Sequence, residues 1–93
     1  MAQWKYTIEN GKALREAIDD GDIERTVRCL YRCFKELYDK MSEEDKDYYQ
    51  FDIEDTMEIL KLYDEEYDDE DNLNYYLAEF YDICDAVRAW ISI

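Results

Sequence analysis

The side chains able to do chemistry in this chain are almost all carboxylates: 26 Asp and Glu stand against 11 Lys and Arg, with no His. Two carboxylates can serve as a general acid and base, but no pair here is set apart by a pocket-forming pattern. Acyl-transfer triads lack their imidazole base. Cys29, Cys33 and Cys84 form no Cys-x-x-Cys pair and have no His to share a zinc ion or activate a thiolate, so they read as buried free thiols. There is no Gly-x-Gly-x-x-Gly and no Walker loop to cradle a phosphate. Asp68, Glu70, Asn72 and Glu79 fall at positions 1, 3, 5 and 12 of an EF-hand-like loop, but position 6, which needs a turning Gly, is Leu73. The sequence therefore predicts no enzyme, no metal and no cofactor.

What the carboxylates can do is present charge, and their placement is uneven. Residues 1 to 41 balance eight acidic groups with eight basic ones, whereas residues 42 to 85 carry eighteen acidic groups against Lys46 and Lys61, a net of −16 that Arg88 brings to −15 for the chain. An anionic segment on a neutral partner half is the pattern of a surface that meets a cationic protein. The candidate binding residues are Glu43, Glu44, Asp45, Asp47, Asp52, Glu54, Asp55 and Glu58, followed by Asp64, Glu65, Glu66, Tyr67, Asp68, Asp69, Glu70 and Asp71. The tyrosine pairs Tyr48-Tyr49 and Tyr75-Tyr76 are interface anchors or, more simply, each place one ring towards the core and one over its edge.

The elements that must hold these groups are mostly helical, because the chain has no Pro and only Gly11 and Gly21. Trp4, Tyr6 and Ile8 alternate with Lys5 and Thr7 as a short extended segment, a lone strand with no partner in view. Residues 12 to 20 predict a short helix with Ala13, Leu14, Ala17 and Ile18 inward, closed by Gly21; Asp22 caps the next. There, Ile23, Val27, Leu30, Phe34, Leu37 and Met41 repeat at helical steps, opposite a basic stripe of Arg25, Arg28, Arg32 and Lys35. That stripe is a solvated face, a phosphate or acidic-partner contact, or a counterpart of the chain's own acidic half. Ser42 opens a capping box with Asp45. Asp52 is a second candidate cap, with a bend at Gln50 to Asp52, so residues 43 to 63 are one helix or two. The run from Asp64 to Asp71 reads as a connector. A final helix takes Leu73, Leu77, Phe80, Cys84, Val87 and Ile91 inward. The fold class is all-α: one domain over residues 1–93, a compact bundle of about four helices with a short extended N-terminal segment.

With these features together, the chain resembles the small acidic counter-defence proteins of phages and mobile elements, including anti-CRISPR and anti-restriction DNA mimics. The resemblance lies in size, charge and helical pattern over residues 42 to 85. It implies an inhibitor whose partner is a basic nucleic-acid-binding protein, such as a CRISPR effector or a restriction enzyme, with no direct binding of nucleic acid. The Tyr48-Tyr49 pair after Glu43, Glu44, Asp45 and Asp47 is also similar to the acidic surface of nuclease-colicin immunity proteins, with Gln50 where that family has Pro. A third reading is a helical adaptor whose acidity serves solubility. No signal-like segment and no bilayer-length apolar run is present, so the expected place is a bacterial host's cytoplasm, away from membranes.

Overall fold

Asp22 does what its type predicts: its carboxylate accepts a hydrogen bond from the backbone N–H of Arg25 and starts a helix over Ile23–Lys40. Ser42 likewise accepts from the N–H of Asp45 and starts Glu43–Lys61, whose first turn holds three carboxylates and whose last turn holds Lys61, an order the helix dipole favours. The computed structural model describes residues 3–64 and 70–92. In chain order the elements are β1 (Tyr6–Ile8), α1 (Gly11–Asp19), α2 (Ile23–Lys40), α3 (Glu43–Lys61), α4 (Glu70–Val87) and β2 (Ala89–Ile91).

Helix α2 is the centre of the bundle, with α1, α3 and α4 all packed on it. Its predicted stripe is the core: Val27, Leu30, Phe34, Leu37 and Met41 are buried, and Ile23 packs half-buried beside them. Phe34 meets Phe80 of α4 edge-on at 5.0 Å, and Ile53 and Leu60 of α3 close the same core. Helix α3 runs through Asp52 without a second cap, so residues 43 to 61 form a single helix. In α1, Leu14 and Ala17 are buried and Ile18 half-buried, while Ala13, expected inward, is exposed.

Two expectations are corrected at the C-terminus. The last helix stops at Val87, because Arg88 takes a left-handed φ of 61°, and Ala89–Ile91 then extends as β2. The N-terminal segment is therefore not a lone strand. It pairs in parallel with β2, Tyr6 opposite Ala89 and Ile8 opposite Ile91, and the whole bundle serves as the crossover that a parallel pair requires. Hydrogen bonds from Lys5 N–H to Arg88 O (2.8 Å) and from Ser92 N–H to Ile8 O (3.0 Å) extend the ladder at both ends. Among the described residues, no helix is long and apolar enough to cross a membrane.

Candidate functional site

Helix α3 carries half of the sequence-predicted site. Glu43, Glu44, Asp47, Asp52, Glu54, Asp55 and Glu58 are all exposed along it, because Tyr49, Ile53, Thr56, Met57 and Leu60 take the inward face. Asp45 stands apart from them. Its carboxylate accepts a 2.7 Å hydrogen bond from the Tyr6 hydroxyl, which in turn accepts from Ser42 N–H, and it lies 3.8 Å from Lys5 Nζ. Asp45 thus ties β1 to the start of α3 and is engaged within the fold. Asp64 is exposed beyond the end of α3, and Glu70 and Asp71 are exposed in the first turn of α4; Glu65, Glu66, Tyr67, Asp68 and Asp69 lie outside the described residues.

Two further acidic residues join α3 from α4. Glu79 accepts from the Thr56 hydroxyl at 3.4 Å, and its pKa is raised, first by burial and then by Asp52 and Asp82, despite that hydrogen bond. Exposed Asp52 of α3 and Asp82 of α4 are thus near enough to Glu79 to act on its charge. Their sequence signal was helical spacing: Glu79 falls one step before the core residue Phe80, on the flank that faces a neighbouring helix.

The larger omission was apolar. Tyr48, Phe51 and Leu62 are 78%, 73% and 70% exposed among the carboxylates of α3, with Ile59 beside them. Phe51 sits two residues before buried Ile53, about 200° around the helix, so its outward position was readable from spacing. Both tyrosine pairs split as expected: Tyr49 and Tyr76 pack against the core, while Tyr48 and Tyr75 are exposed and contact them edge-on.

Among the described residues, the ion pairs of the basic stripe of α2 are made within the neutral half. Arg25, Arg28 and Lys35 pair with Asp20, Glu24 and Asp39, all from the neutral half. Arg28 and Arg32 also border an open hollow of about 320 Å³ with Tyr31, Leu60 and Lys61.

Burial pushes the Cys33 and Cys84 thiols up to about 12, Cys33 with help from Glu36, which keeps both protonated and poor nucleophiles at neutral pH. The EF-hand-like positions Glu70 and Asn72 lie within α4, and Leu73 is in the core, so no calcium loop forms from them. Among the described residues, no group of three or more Cys, Asp or Glu is arranged to hold a metal ion. No family model matches this chain, and no curated protein and no solved structure matches it.

Proposed function

We propose that the protein is a non-enzymatic inhibitor that presents the outer face of α3, continued by the start of α4, to the nucleic-acid-binding site of a basic protein. The class of target is a CRISPR effector or restriction enzyme, met in the cytoplasm of a bacterial host, and the mode is DNA mimicry. One observation carries this reading. Helix α3 holds eight carboxylates in 19 residues, and at 1.5 Å per residue they average one per about 3.6 Å of axis, close to the roughly 3.4 Å phosphate spacing along one DNA strand. A channel of Arg and Lys side chains selects for that charge density and not for the phosphorus atoms that carry it. Seven of the eight are exposed, so they are free to meet such a channel.

The test is competition. A purified effector is bound to labelled DNA at low salt and titrated with the protein; displacement of the DNA supports mimicry, and unchanged DNA occupancy rejects it. Displacement should also weaken steeply as salt rises, because exposed charges are screened over about 8 to 10 Å near physiological ionic strength.

A second reading, neutralisation of a cationic toxin in the manner of an immunity protein, is favoured by the exposed Tyr48 and Phe51 among the carboxylates. Rings of this kind anchor protein interfaces and have no counterpart in a phosphate backbone. A toxin complex would keep much of its affinity in salt, whereas mimicry would not.

A further inference from the structure

The exposed apolar residues of α3 are ordered and not scattered. Tyr48, Phe51, Asp55, Ile59 and Leu62 follow one another at steps of 3, 4, 4 and 3, the spacing of a seam between two packed helices. At 100° per residue all five fall within an arc of about 80°, opposite the face that carries Ile53 and Leu60 into the core, and the seam is about 21 Å long. Four of its members are large apolar side chains, three of them more than two-thirds exposed. The fifth, Asp55, is at the middle; Asp47, Glu54 and Glu58 flank the seam on one side and Asp52 on the other, with Glu44 in line with it one turn before Tyr48. A phosphate-like surface has no use for such a seam, and exposing it to water is unfavourable unless something covers it.

We propose that this seam is a docking site for a basic amphipathic helix of the target protein, with apolar residues along its contact face, an Arg or Lys opposite Asp55, and further cations on its flanks. Charge decides the occupant. A second copy of this chain paired along the seam by a two-fold axis, whether parallel or antiparallel about its middle, would set Asp55 against Asp55 and bring carboxylate flanks together. A cationic helix meets the same flanks with opposite charge, and buries Phe51 and Leu62 in the ridges-and-grooves manner of helix pairs. The inference rests on the reading above only in taking a basic protein as partner.

The probe is a synthetic peptide of about five turns built from Leu, Lys and Arg with Leu at 3–4 spacing, compared with a scrambled peptide of the same composition. Calorimetry measures affinity, and amide chemical shifts of the full chain map the site. The patterned peptide should bind at least ten-fold tighter than the scrambled one, shift residues 48 to 62, and lose at least ten-fold in affinity on the double substitution Phe51→Ser, Leu62→Ser. Both positions are exposed, so the helical circular dichroism of the double variant should match the parent. Asp55→Lys should weaken binding while leaving the oligomeric state unchanged. Equal binding of the two peptides, an affinity unaffected by the double substitution, or a dimer in sedimentation that Phe51→Ser abolishes would each overturn the proposal. If the peptide docks on this seam yet the protein fails to displace DNA from an effector, DNA mimicry falls and the docking site stands.

Discussion

Glu36 reaches from α2 to the turn between β1 and α1, where its carboxylate accepts from the backbone N–H groups of Glu9 (2.8 Å) and Asn10 (2.9 Å) and from the Asn10 amide, with Lys40 alongside at 2.6 Å. Burial pushes its pKa up, but the bonds from Lys40, Asn10 and Glu9 outweigh that and hold it down at about 2, against 4.5 for a free side chain. The folded value is the lower one. Its contribution to stability is therefore complete above pH 4.5 and is lost as the pH falls towards 2, by up to about 3 kcal/mol. Glu36→Gln should destabilise the protein by about 2 to 3 kcal/mol at pH 7 and by less at pH 3, where the unfolded-state carboxyl is already largely protonated while the folded one is still ionised. Urea unfolding at the two pH values measures this, and a pH-independent difference would show that the charge on Glu36 is immaterial. Glu79 has the opposite sign. Its raised pKa makes its ionised form a cost that grows with pH, because burial disfavours the charge and Asp52 and Asp82 repel it. The two residues were indistinguishable as letters in the sequence; donors from distant turns separate them, and those come from the fold.

At the level of elements, the two ends of the chain meet where the sequence was hardest to read. Val87 and Ile91 are four apart, which suits one helical face, but Ala89 buried, Trp90 exposed and Ile91 half-buried also alternate as a strand does. Arg88 resolves the choice by taking a φ of 61°, a conformation that costs a non-glycine residue about 1 kcal/mol and that ends α4. Arg88→Gly should accordingly raise stability by about 0.5 to 1 kcal/mol with the β1–β2 pairing intact; a loss of stability would mean the Arg88 side chain holds the turn. Gly11 is needed for a different reason. A Cβ there would press on the Ile91 side chain and lie 2.6 Å from Ser92 O, so α1 starts directly beneath β2. Gly11→Ala should cost about 1 to 3 kcal/mol in thermal or urea unfolding and slacken the Ser92-to-Ile8 hydrogen bond, seen as faster amide exchange at Ser92. By contrast α2 was legible in its apolar steps and its cap at Asp22, which follow from local spacing, although Met41, counted in the helical repeat, lies just past the helix end. A pairing between residues 6 and 89 has no such local trace.

For the whole molecule, the uneven charge was legible from composition, but its use on the surface was not. The acidic segment could have been spread around the bundle; instead the inward face of α3 fixes seven of its carboxylates outward along one helix, where they surround Phe51 and Leu62. Those two residues fell outside the candidate site because the reading followed carboxylates and left the apolar residues out of step with the core unexplained. The same concentration of charge has a thermodynamic consequence. Seven ion pairs are formed among the described residues, each with at least one side chain 39% or more exposed and five of them between neighbours on one helix, so each contributes at most about 1 kcal/mol. With a net charge of −15, repulsion between like charges is the larger long-range effect, and folding draws those charges together. Sodium chloride shortens the screening length from about 30 Å at 0.01 M to about 10 Å at 0.1 M, which weakens distant repulsion more than contact ion pairs. The melting temperature should therefore rise by several degrees between 0.01 M and 0.3 M sodium chloride, a change of about 1 to 2 kcal/mol. Charge reversal of Asp55 and Glu58 to Lys should reduce that rise, since it removes repulsion from the exposed face of α3. A melting temperature that falls with salt would instead mean that the ion pairs dominate, and that the anionic face is held together by its few cations.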